Sequence, residues 1–137
     1  MYTIPCFIRK NTPELRKRLE ELGYIPPFKI WYDENFAICT IHRDNVGEYV
    51  VFKIDDDFER NIVPSYPYID CGTNEDLFFA LASMTDNEYG LSDYYIVTKS
   101  SPRFEKGSLH RALPLSSVIH PSCYRKATVE EIIEYFT

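Results

Sequence analysis

Cys71 occupies a position where chemistry is possible. In "YIDCGTNEDLFFAL", residues 68 to 81, an extended run ends at Asp70-Cys71-Gly72 and a helix-forming stretch begins at once. A thiol beside a helix N-terminus loses its proton more easily and can attack an electrophile. Such a nucleophile needs partners to activate and orient it. A phosphatase-type loop requires an arginine where Leu77 stands, and a thioredoxin-type motif requires a cysteine where Asn74 stands. A protease-type pair requires an oriented histidine, and neither His110 nor His120 is tied to Cys71 by spacing. Cys71 therefore reads as part of a turn and of the core: Gly72 bends the chain, Thr73 caps the helix, and the thiol packs.

Other ligand types are equally sparse. His120-x-x-Cys123 is half of a zinc site, and Cys6 or Cys71 would have to complete it. Structural zinc draws on two closely spaced pairs, so no metal ligand is assigned. "DDDFE", residues 55 to 59, lacks the glycine and the alternating ligands of a calcium loop and reads as a solvated loop. No glycine-rich phosphate motif occurs. Asp70, Glu75 and Asp76 crowd the helix start near Gly72, which disfavours an anion there.

The remaining candidate is the basic stretch 99–114, "KSSPRFEKGSLHRALP", read as a long loop. Lys99, Arg103, Lys106 and Arg111 face one acid, Glu105, so the stretch carries +3 and the rest of the chain −9. Long loops in compact domains tend to carry function. With Phe104 and His110, these cations could grip an acidic protein face or a phosphorylated small molecule. The binding candidates are therefore Lys99, Arg103, Phe104, Lys106, His110 and Arg111. Catalytic residues, metal ligands and cofactors are not assigned.

Three threonine-led helices must position these residues. Thr12 caps the first, with Pro13 at its first position, a Leu15, Leu19, Leu22 stripe and Gly23 as the stop. Arg16, Lys17, Glu20 and Glu21 would be solvated. Thr73 with Asp76 caps the second, whose "LFFALASM" is apolar all round and predicts the most buried helix. Thr128 with Glu131 makes a fuller capping box for the third, with Val129, Ile132, Ile133 and Phe136 inward. Strands are expected at 2–8, in "FKIWY", "FAICTIH" and "EYVVFKI" as a meander over 28–54, and in "PYID", "DYYIVT" and, more weakly, "LPLSSVI". Asp33-Glu34-Asn35 is the first hairpin signal. The expected fold is α+β: a mostly antiparallel sheet of five to seven strands, the meander in its middle, three helices largely on one face.

The 137 residues suit one domain, spanning 1–137. No apolar stretch approaches the roughly 20 residues of a membrane span. The net charge of −6 argues against general nucleic-acid binding. The N-terminus lacks a signal-peptide pattern, and the four cysteines form no close pair. Reduced thiols in a cytoplasmic chain are expected. Eleven Tyr and nine Phe suit both a core edge and a contact surface.

"IPCFIRKNTPELRKRLEELGY", "IDCGTNEDLFFALASM" and "KATVEEIIEYF", about half the chain, together resemble short hypothetical proteins of gut bacteria and of their phages and mobile elements. No activity is assigned to those proteins, so the resemblance implies no site residue. It implies an accessory cytoplasmic protein acting in the conflict between phage and host. A binding protein for another protein, or for its own copy, is the expected function; a sponge for a phosphorylated nucleotide signal is the alternative, and a cysteine-dependent enzyme the least favoured.

Overall fold

The computed structural model describes residues 4–43, 46–65, 68–84, 94–111 and 121–137. The fold is α+β, with the strands divided between two sheets rather than gathered in one. The first sheet has the order β3-β2-β1-β4, with β1 at Cys6–Ile8, β2 at Phe36–Arg43, β3 at Val46–Lys53 and β4 at Ile69–Asp70. The second has the order β6-β5-β7, with β5 at Tyr94–Val97, β6 at Leu109–Arg111 and β7 at Tyr124–Lys126. Among the described strands all pairings are antiparallel except β1 with β4. The expected strand in "LPLSSVI" lies outside the described residues.

The β2–β3 hairpin sits at one edge of its sheet, not in the middle. β2 is paired on one side with β1 and on the other with β3. That leaves β2 no free edge for "FKIWY" to pair with, and residues 28–32 are not a strand. The Asp33 turn forms nonetheless: its carboxylate accepts the Asn35 N–H at 2.9 Å and its carbonyl the Phe36 N–H at 3.3 Å. Upstream, Asn11 donates its side-chain amide to the carbonyls of Trp31 and Asp33. The segment is thereby pinned beside a helix start instead of a strand.

α1 (Pro13–Leu22) follows the sequence pattern. Thr12 accepts the Leu15 N–H, and Gly23 ends the helix at φ 110°, where a side chain would be strained. Leu15 and Leu19 are buried against the sheet. Arg16 is not solvated as expected: it is 5% exposed, donating to the Asn11 side-chain carbonyl and lying under the Tyr32 ring.

α3 (Glu75–Ala82) buries every residue from Leu77 to Ala82, as its unbroken apolar run requires. Its cap is Asn74, not Thr73: the Asn74 side-chain oxygen accepts the Leu77 N–H at 3.1 Å. The physical reason is the turn before it. Asn74 N–H donates to the Cys71 carbonyl, so Gly72 at φ 56° and Thr73 are the central residues of that turn. The first residue able to cap is then Asn74, whose amide also donates to the Phe136 carbonyl at 2.6 Å. This joins the start of α3 to the end of α4 (Val129–Phe136), which carries the full Thr128–Glu131 capping box.

The helices do not all lie on one face. One face of the first sheet presents Cys6, Ile8, Ile38, Tyr49 and Val51 to α1 and α3. The other presents Phe7, Ala37 and Cys39 to a π-helical segment, Phe58–Ile62, that runs into the one-turn helix α2 (Val63–Ser65). "DDDFE" is the start of this segment, not a solvated loop: Asp55 accepts the Phe58 N–H at 3.0 Å, and Phe58 is 1% exposed. Arg9 fastens it down, bridging Glu59 on the segment and Asp70 at the end of β4. β1 is covered on both faces, which is why all three of its residues are fully buried.

Candidate functional site

Residues 99–111 of the basic stretch are the connection and second arm of a β-hairpin rather than a free loop; residues 112–114 lie outside the described residues. β5 and β6 pair Tyr94 with Arg111, Tyr95 with His110 and Ile96 with Leu109. The connection between them is ordered by its own hydroxyls. Ser101 Oγ accepts the Phe104 N–H at 3.2 Å, Ser100 Oγ accepts the Lys106 N–H at 3.0 Å, and Gly107 N–H donates to the Val97 carbonyl at 2.7 Å. Phe104 folds back against the cluster of Tyr95 and Val97, on which Tyr124 also packs.

This geometry separates the six candidate residues into three groups. Lys99, Arg103 and Lys106 are exposed in the hairpin connection. Phe104 and His110 meet edge to face, ring centres 4.6 Å apart, and His110 Nε2 lies 3.0 Å from the Ser108 hydroxyl. Arg111 is at the far end of β6, its guanidinium 5.0 Å from the Tyr94 ring centre. His110 and Arg111 are adjacent in sequence but point to opposite faces, because strand side chains alternate. They cannot grip one group together.

On its own face Arg111 meets residues that sequence reasoning passed over. It shares a groove of about 160 Å³ with Arg18, Glu21 and Leu22 of α1, with Phe79 of α3 and with Ser83 at the C-terminal end of α3. Arg18 stacks on Phe79 at 3.8 Å. One signal was present in the sequence: Arg18 falls one turn before Leu22 and so flanks the apolar stripe. What the sequence did not contain is the contact that brings α1 beside α3 and α3 beside β6.

A second surface is aromatic. Ile25, Phe28, Trp31 and Tyr32 are 48, 110, 46 and 74% exposed. Lys29 lies over the Trp31 ring at 4.1 Å, and Trp31 leans on Phe36 with ring centres 5.9 Å apart. Ile25 anchors the start of this run, donating its N–H to Gly47 and accepting from Tyr49 along the outer edge of β3.

Cys71 faces the core. It is 4% exposed, its thiol donates to the Ile69 carbonyl at 3.8 Å, and it packs among the buried residues beneath α3. Burial above all, and then the neighbouring Cys71 thiol, pushes the Cys6 thiol well above its ordinary pKa. Burial pushes the Cys39 thiol up as well, on the opposite face of the sheet. His42, whose pKa is lowered by burial, is bonded to the Tyr24 hydroxyl at 3.1 Å. Among the described residues no group of three or more His, Cys, Asp or Glu side chains converges on a point where a metal ion could sit. His120, the other half of the His120–Cys123 pair, lies outside the described residues. Among the described residues, no helix is long and apolar enough to cross a membrane.

No protein family matches the chain, and no curated protein or solved structure shows significant similarity to it.

Proposed function

We propose that this chain is a non-enzymatic binding protein that recognises another protein through the aromatic surface of residues 25–32. The cations of the hairpin connection, Lys99, Arg103 and Lys106, form a second contact. The observation that carries the reading is the exposure of Ile25, Phe28, Trp31 and Tyr32 within eight residues. Exposed aromatics with a wet rim are the composition of interface anchors. Their backbone is held by Asn11 and by the edge of β3, so little ordering cost opposes binding. In this reading the protein works in the cytoplasm, as an accessory factor encoded by a bacterium, phage or mobile element.

The test is a comparison of captured partners. Tagged wild type and a Phe28→Ser, Trp31→Ser double variant are passed through lysate, and any protein retained by wild type alone is purified and titrated. A partner whose Kd rises at least tenfold in the double variant, with unchanged thermal melting of the chain, supports the surface. Equal affinity for both chains removes it. An Arg103→Glu, Lys106→Glu variant reports on the hairpin separately, through a weakened salt dependence of association.

A further inference from the structure

We infer that the groove between α1, α3 and β6 is a binding site for the phosphate group of a small molecule, with Arg18 and Arg111 as its ligands. It is a different place from the aromatic surface, and the two stand or fall independently.

The groove has two arginines among its six lining residues, set against one acid, Glu21. Neither arginine forms an ion pair with any described residue. They share this with most of the chain's cations; three others form ion pairs among the described residues. Arg9 bridges Glu59 and Asp70, Lys10 pairs with Glu75, and Arg125 pairs with Glu131. Arg18 and Arg111 are each placed on a ring, Phe79 and Tyr94. A guanidinium laid on an aromatic face is oriented in advance and keeps its N–H edge for a planar or tetrahedral oxyanion. Two such groups on one groove suit a phosphate, which takes paired N–H donors from arginine.

The size of the groove restricts the ligand. Its volume of about 160 Å³ is below the roughly 300 Å³ at which ordinary ligand pockets begin. A phosphate with its first substituents fits, and the remainder of the molecule must lie outside. Leu22 and Phe79 give the wall an apolar part. Glu21 repels additional negative charge and can accept from a hydroxyl of the ligand. A singly phosphorylated, hydroxyl-bearing compound is therefore favoured over a multiply charged one.

Isothermal titration of the full chain with inorganic phosphate, pyrophosphate, a nucleoside monophosphate and a phosphoserine peptide tests the site. The expected result is saturable binding of the monophosphate at about 1 mM or tighter. Arg18→Gln and Arg111→Gln should each weaken it about tenfold, as loss of a charged hydrogen-bond donor does. Glu21→Gln should tighten it, and should do so most for pyrophosphate. Arg18→Lys, which keeps the charge and loses the planar edge, should fall between wild type and Arg18→Gln. Thermal melting of each variant separates lost binding from lost folding. Binding that is equal in wild type and both glutamine variants, absence of saturation by every compound, or binding of the peptide alone would each overturn the assignment.

Discussion

Glu131 shows how one side chain can serve two neighbours. Its carboxylate accepts from Arg125 at 2.7 Å and from the Thr128 N–H at 2.9 Å. The Arg125 guanidinium first, and then the Thr128 amide, hold its pKa down at about 2 against an ordinary 4.5. The charged form is thus favoured by folding. The stability it contributes is present above pH 4.5 and is lost as pH falls towards 2. Solvent around this surface pair limits the contribution to ~1 kcal/mol. Urea midpoints should therefore fall more steeply between pH 5 and pH 2.5 in wild type than in Glu131→Gln. Parallel curves would show that the carboxylate has no folding-linked titration. Gly72 permits a second prediction at this scale. It holds φ 56° with nothing within 4 Å of where a Cβ would sit, so Gly72→Ala adds backbone strain and no clash. A loss of about 1 kcal/mol is expected from chemical denaturation; a loss several times larger would mean that the turn tolerates no side chain at all.

Among the elements, the π-helical segment changes the architecture most. It closes the second face of the first sheet with a single fully buried ring, Phe58, set edge to face on Phe7 at 5.3 Å. Phe58→Ala should cost about 3–5 kcal/mol by the general cost of emptying an aromatic site. The loss should be visible as early hydrogen exchange of residues 58–65 before the helical face opens. Simultaneous exchange over both faces would mean that the segment does not open separately. The Arg9 bridge ties the same segment to β4, and its acid Glu59 has a pKa lowered chiefly by the Arg9 hydrogen bond. At the level of elements α1, α3 and α4 were legible in the sequence because their signals are local. A threonine or asparagine, an acid in the first turn and an apolar stripe are read within one helix. The position of the cap on α3 was misread by one residue because a turn competed for Thr73. The segment at 58–62 was missed because its one buried residue, Phe58, stands among four acids, Asp55, Asp56, Asp57 and Glu59, and the stretch looks polar.

At the scale of the molecule, the patches proposed among the described residues for outside contacts are the aromatic run at 25–32, the hairpin cations Lys99, Arg103 and Lys106, and the Arg18–Arg111 groove. Replacing Phe28, Trp31 and Tyr32 together by serine should leave the melting temperature within a few degrees, since surface changes usually stay within about 0.5 kcal/mol each. A collapse of stability would show that these rings belong to the core and not to an interface. Arg16 is the exception within that neighbourhood: buried beside Asn11 and beneath Tyr32, it couples the aromatic run to α1.

The sequence by itself determined the class of the fold, the three principal helices, the Gly23 stop of the first, the burial of α3 and the inward place of Cys71. Each of these follows from propensity, capping and periodicity within a dozen residues. Only the tertiary structure decided that the strands form two sheets, that 28–32 stays outside both, and that Arg111 belongs with Arg18 rather than with His110. Those outcomes depend on which strand edges are already taken and which faces meet, and edges and faces are set by pairings between residues far apart in the chain.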